Sequence, residues 1–177
     1  MNLPNKLSVA RVLCIPAIVT LLHFPESGCR IAASALFIIG CLTDFLDGRI
    51  ARKRNLVTDF GKFIDPVADK LLVLTTLIML IRLGLMPAWI VIVILCRELA
   101  VDGLRMVAVT KGYVIAAGPL GKWKTACQMI LISAMLILNL SVYDAWPLSL
   151  LAGIVVFLTL FSAVDYFYRN ASVLAEK

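Results

Sequence analysis

The chain is short of polar residues. Of its 177 residues, 62% are hydrophobic and only 16% are charged, and the mean hydropathy is +0.98. A soluble domain carries about 45–50% apolar residues, so a soluble globular protein is excluded, and so is one held by a single anchor. No segment interleaves basic residues with base-stacking aromatics, and no nucleic-acid partner is expected. There is no C-x-x-C pair. Cys14, Cys41, Cys96 and Cys127 lie in apolar stretches, with Cys29 outside them, and they read as small packing residues rather than disulfides or metal ligands. The single histidine, His23, falls at the end of an apolar run, where an interfacial polar role suits it better than ligation or catalysis. That first run, 12–22, is followed by no small-residue cleavage site and reads as a span rather than a removable signal. No internal repeat or low-complexity tract is present.

What is there is six apolar stretches of membrane-spanning length, near 7–23, 31–49, 64–82, 87–108, 121–140 and 147–168. They leave no room for a soluble domain, so one transmembrane domain over 1–177 is expected. Of the 17 lysines and arginines, all but three fall on one side if the N-terminus lies inside. Arg30 and Arg82 fall outside, and Arg97 lies within a span. The bias predicts both termini in the cytoplasm of a multi-pass cell-membrane protein. The net charge of +6 then sits mostly at the inner face, where it suits anionic headgroups and phosphorylated substrates. Trp89, Tyr143 and Trp146 mark outer interfaces, and Tyr113 and Trp123 inner ones. Residues 2–5 read as a turn with Ser8 as a helix cap, 49–62 as an inner loop, and Pro66 as part of the third helix's first turn.

Against this background four acids stand out: Asp44, Asp47, Asp65 and Asp69, in the pattern D-x2-D-G-x2-A-R-x8-G-x3-D-x3-D. Asp44 and Asp47 are three apart and Asp65 and Asp69 four apart, so each pair shares a helix face. At about 1.5 Å rise per residue, Asp44 lies roughly 7 Å from the inner end of its span, and Asp69 is at a similar depth. Four carboxylates near lipid repel one another and are costly to bury. A divalent cation, or a pair of them, is the simplest neutraliser. Gly48 and Gly61 let backbone or ligand approach closely, and Arg52 can clamp a phosphate or a base. A metal cluster at a membrane surface points to chemistry on a lipid phosphate. Plain interface salt bridges to Arg49, Arg52 and Lys70 are the bland alternative.

The stretch 44–69 resembles the signature of the CDP-alcohol phosphotransferase family at all of its defining positions. That resemblance implies an all-α integral membrane protein with six transmembrane helices, usually a homodimer. Such a protein moves a phosphatidyl or related group from a CDP-linked donor to an alcohol and releases CMP. It implies that Asp44, Asp47 and Asp65 bind metal. It also implies that Asp69 is the general base and is counted with the metal ligands. The cofactor would be two Mg2+, with Mn2+ as the alternative. The CDP moiety would meet Asn5, Asp44, Gly48, Arg52 and Gly61. Segments 2–7, 97–105 and 121–128 resemble the branch that joins CDP-diacylglycerol to glycerol 3-phosphate. An acceptor carrying its own phosphate needs cations, and Arg97, Arg105, Lys122 and Lys124 are the candidates. For Lys122 and Lys124 the ordinary positive-inside role is an equal alternative. Arg97, deep in the fourth span, must pair or face a wet cavity. Glu98, Asp102 and Arg105 share one helix face.

Other readings stay open. The acceptor could be inositol phosphate, serine, choline or phosphatidylglycerol. An intramembrane prenyltransferase also binds diphosphate through aspartates, but on two separated Asp-rich loops in longer chains. A small cation or proton transporter would place its carboxylates near the midplane.

Overall fold

The computed structural model describes the backbone of residues 3–53, 59–112, 115–116 and 118–171, and the side chains at 7–43, 64–65, 67–112, 115–116 and 118–171. Among the described residues there are six helices and no strand: α1 (Leu3–His23), α2 (Ser27–Lys53), α3 (Asp59–Arg82), α4 (Ala88–Thr110), α5 (Pro119–Leu138) and α6 (Trp146–Arg169). They run 20 to 27 residues, about 30–40 Å at 1.5 Å per residue.

The outer ends fall within a few residues of the hydropathy boundaries, because turn chemistry marks them. Gly84, at φ +71°, follows α3. Its N–H donates to the Ile81 carbonyl at 2.9 Å, and the Leu85 N–H donates to Leu80 at 3.0 Å. This paired closure needs a left-handed residue, which glycine supplies without a Cβ clash. Pro87 then precedes α4 in an extended conformation.

The inner ends differ from expectation. Residues 3–5 are helical, so Ser8 lies inside α1 and caps nothing. α2 continues to Lys53 and α3 begins at Asp59, which shortens the expected 49–62 loop to 54–58, outside the described residues. Pro66 lies inside α3 rather than in its first turn. Hydropathy falls where charges begin, but arginine, lysine and single aspartates do not end a backbone ladder.

By length and composition, α6 is the one helix among the described residues apolar enough to cross a membrane. Among the described residues, Leu7–His23 of α1 and Ser27–Thr43 of α2 are shorter apolar stretches. α3 and α4 carry charges within them: Asp65, Asp69 and Lys70 in one, Arg97, Glu98, Asp102 and Arg105 in the other. Large apolar side chains are nonetheless exposed on every helix, Leu13, Ile39, Ile78, Met106, Ile130 and Phe157 among them.

Two compact units are formed. In the first, Met1–Leu85 with Ile132–Leu140, α1 packs on α2 and α3, and α2 touches α3. Ile18, Leu22, Phe37, Leu72 and Leu77 are fully buried there. A Cβ on Gly40 would lie 2.7 Å from Leu72 Cδ2, so α2 and α3 approach closely at that point and a larger residue would force Leu72 to move. In the second, Met86–Leu131 with Ser141–Lys177, α4 packs on α6 around Val101, Leu104, Ala108 and Tyr166. All five cysteines are among the described residues, and none of them is in a disulfide.

Candidate active site

In the first unit the inward stripe of α3 carries the acids. Ala68, Leu72, Thr76 and Leu80 are buried and repeat every four residues, while Val67 and Leu71 are exposed. Asp65 and Asp69 continue the buried stripe toward the start of the helix, and both are half-buried. The Ser8 hydroxyl of α1, itself fully buried, donates to Asp65 Oδ1. The misread cap is therefore a tether that fixes one carboxylate oxygen from another helix.

Asp44, Asp47, Gly48 and Arg52 lie in the last turns of α2, Gly61 in the first turn of α3 and Asn5 in α1. Their side chains lie outside the described residues. The backbone register is informative all the same. α2 and α3 are joined by a short connection and meet at Gly40 and Leu72. Counting equal steps from that contact toward the connection brings the backbone of Asp47 level with Asp65, and that of Asp44 level with Ala68, the neighbour of Asp69. The described donors here, Asp65, Asp69 and Ser8, are all oxygens. That set suits a hard divalent cation such as Mg2+ or Mn2+ and not a soft one. Among the described residues no group of three His, Cys, Asp or Glu is close enough to hold a metal, and Asp44 and Asp47 are not among them.

The second unit gathers cations around one acid. Arg97 Nη1 donates to Glu98 Oε1 at 3.0 Å, and Lys124 Nζ donates to the same oxygen at 2.6 Å. Arg97 Nη2 also donates to Ser162 Oγ of α6 at 3.3 Å. Lys124 is only 2% exposed. A lysine so buried is held charged by its partner, since an unpaired buried ammonium would carry a large desolvation penalty. Two cations share one carboxylate, which leaves the trio with a net +1. Gly121 belongs to this arrangement: a Cβ there would sit 3.4 Å from Arg97 Nη2. Arg105 is held separately. Its Nε donates to the Tyr166 hydroxyl at 2.9 Å, and its guanidinium carbon stands 5.5 Å from the centre of the Tyr166 ring.

Of the four cations singled out in the sequence, then, Arg97 and Lys124 are brought together by Glu98, and Arg105 is set on Tyr166. Lys122 is exposed, as its position two residues from Lys124 on one helix requires. Ser162 and Tyr166 were given no part in the sequence reading, Ser8 was read as a helix cap, and Gln128 entered only as part of the segment 121–128. The first three meet their partners across 57 to 65 residues of chain. Gln128 carried a weak signal as a polar residue in an apolar helix.

An all-helical protein with paired carboxylates on two consecutive helices, and half-buried arginines with a buried lysine elsewhere, has the makings of a transferase for phosphorylated groups. The family model described as CDP-alcohol phosphatidyltransferase matches residues 1–164, and the chain belongs to that family. Its members generally depend on a divalent metal. The CDP-diacylglycerol–glycerol-3-phosphate 3-phosphatidyltransferase of Bacillus subtilis (strain 168) is 46% identical, covering 96% of this chain and 95% of the relative. The enzyme of the same name from Rickettsia typhi is 38% identical over 94% of this chain and 95% of its own length. CDP-diacylglycerol–glycerol-3-phosphate 3-phosphatidyltransferase 2 of Arabidopsis thaliana is 39% identical over 76% of this chain and 64% of its own length.

Proposed function

We propose that this chain transfers the phosphatidyl group of CDP-diacylglycerol to glycerol 3-phosphate. The products are phosphatidylglycerophosphate, the precursor of phosphatidylglycerol, and CMP. The observation that carries this reading is the 46% identity, over 96% of the chain, to an enzyme named for that reaction. The carboxylate pattern 44–69 supports the reaction type, and the half-buried Arg97 and buried Lys124 support an acceptor with its own phosphate.

In this reading Asp44, Asp47, Asp65 and Asp69 would hold two Mg2+, with Mn2+ as the alternative. When bound, the metal supplies positive charge against the pyrophosphate and the departing CMP oxygen. Asp69 accepts the proton of the acceptor's primary hydroxyl as its oxygen bonds to the lipid-side phosphorus and the bond from that phosphorus to CMP breaks. Ser8 keeps Asp65 oriented by its hydrogen bond. Asn5, Asp44, Gly48, Arg52 and Gly61 receive the CDP moiety. Arg97, Arg105, Lys122 and Lys124 bind the acceptor phosphate, and Arg105 offers a planar fork for it.

The six helices are long enough to span a bilayer, and their exposed apolar side chains suit lipid contact. The lysine and arginine bias supports a multi-pass cell-membrane protein with both termini and the active site facing the cytoplasm. The family model runs through 1–164 in one match, which supports a single transmembrane domain over 1–177. The family resemblance supports a homodimer.

An acceptor screen tests the reading. Purified protein with CDP-diacylglycerol and Mg2+ is offered glycerol 3-phosphate, inositol phosphate, inositol and serine, and CMP release is measured. Release with glycerol 3-phosphate alone is the expected result. Release with another acceptor in its place would move the protein to a different branch of the family.

A further inference from the structure

We propose that Gln128 reads a hydroxyl group of the acceptor and makes the site selective for a polyol phosphate over a simple hydroxyalkyl phosphate. The inference rests on the acceptor reading above. It starts from one face of α5. Gly121 sits against Arg97, Lys124 reaches Glu98, and Leu131 is fully buried. Gln128 lies one turn beyond Lys124 on that face and is 3% exposed. Its carboxamide oxygen has no hydrogen-bond partner, and neither does Nε of Arg97.

A buried amide oxygen left without a partner is destabilising. Methionine or leucine would fill similar space on an apolar helix without that penalty. The two orphaned groups are complementary, one acceptor and one donor; Arg97 Nε belongs to the Arg97–Glu98–Lys124 trio with its net positive charge, and Gln128 follows Lys124 by one helical turn. The ligand that completes them has a hydroxyl hydrogen to give, an oxygen to accept with, and a negative charge. A polyol phosphate has all three. An inorganic anion has no carbon-bound hydroxyl, and an acyl chain has none of the three. The Gln128 oxygen accepts from the secondary hydroxyl of glycerol 3-phosphate.

The test compares glycerol 3-phosphate with 3-hydroxypropyl phosphate, which keeps the phosphate and the primary hydroxyl but lacks the secondary one. Both are assayed by CMP release in the full-length protein. The wild type should favour glycerol 3-phosphate by about a hundredfold or more in kcat/KM, because a site built around a hydroxyl strongly rejects the analogue without it. Gln128→Met should bring the ratio close to unity with the KM for CDP-diacylglycerol unchanged. Gln128→Asn, which keeps the amide but draws its oxygen back by one methylene, should lower the ratio in the same direction. A general loss of packing would lower both activities together and leave the ratio intact, so a wild-type ratio in an active variant overturns the proposal. Equal use of the two acceptors by the wild type overturns it without any variant. Failure of the wild type to use glycerol 3-phosphate at all would instead overturn the acceptor reading, and this inference with it.

Discussion

The two charged regions of this chain are built by opposite means. Along α3, Asp65 and Asp69 are set first by helical periodicity, on the same stripe as Ala68 and Leu72, and Ser8 then tethers Asp65. In the second unit, three cations of the candidate site meet a distant partner: Lys124 meets Glu98 across 26 residues, Arg105 meets Tyr166 across 61, and Arg97 meets Ser162 across 65. A site written in local spacing can be read from a linear pattern, and a site written in cross-helix contacts cannot. The chemistry divides the same way. Oxygen donors suit metal and proton abstraction, whereas buried guanidinium and ammonium groups suit an anionic substrate. Damage to the acids should therefore appear in turnover, and damage to the cations in acceptor use.

The largest effect should come from metal removal. Exhaustive chelation should abolish CMP release, and added Mg2+ should restore it in the wild type but not in Asp44→Ala or Asp47→Ala. Undiminished activity after chelation would break the acid half of the comparison. Next, Asp69→Asn should lower turnover by about 10²–10⁴-fold, the usual contribution of a general base, while leaving CDP-diacylglycerol binding largely intact. Near-normal CMP release in that variant would remove Asp69 from the role of base.

On the cation side, Arg105→Ala should raise the KM for glycerol 3-phosphate far more than that for CDP-diacylglycerol. Charged hydrogen bonds worth roughly 1.5–3 kcal/mol each correspond to a loss of about tenfold to a few hundredfold. Arg105→Lys should recover only part of it, since lysine restores the charge and not the fork. An unchanged acceptor KM would move the phosphate pocket to Arg97, Lys122 and Lys124.

The smallest effect sharpens the comparison most. Tyr166→Phe keeps the ring but removes the oxygen that accepts from Arg105 Nε. It should raise the acceptor KM by about tenfold or less, below the effect of Arg105→Ala, because it loosens the guanidinium without removing it. In an Arg105→Ala background it should add nothing, because the two residues act as a pair. Fully additive effects would show that Tyr166 works independently of Arg105.

The same contrast explains what could be read in advance. Six helices and their outer ends were legible because Gly84, Pro87 and the apolar runs mark them. The inner ends were not, because helices continue through charge, to Lys53 in α2 and back to Asp59 in α3. Ser8 stands where a cap usually stands, and nothing local says that its partner is Asp65, 57 residues on. The four aspartates and their glycines were found by spacing. Tyr166 and Ser162 look like ordinary residues of an apolar helix until α4 packs on α6. Family membership leaves the transporter and prenyltransferase readings without support.

The central claim is that the acceptor's phosphate is held and kept while its hydroxyl is joined to the donor's lipid phosphate. Glycerol 3-phosphate labelled in its phosphorus, incubated with the protein, CDP-diacylglycerol and Mg2+, tests it directly. The account predicts label entering the lipid phase in step with CMP, mole for mole, and no transfer with Asp69→Asn. CMP formed while the label stays in the aqueous phase would contradict it.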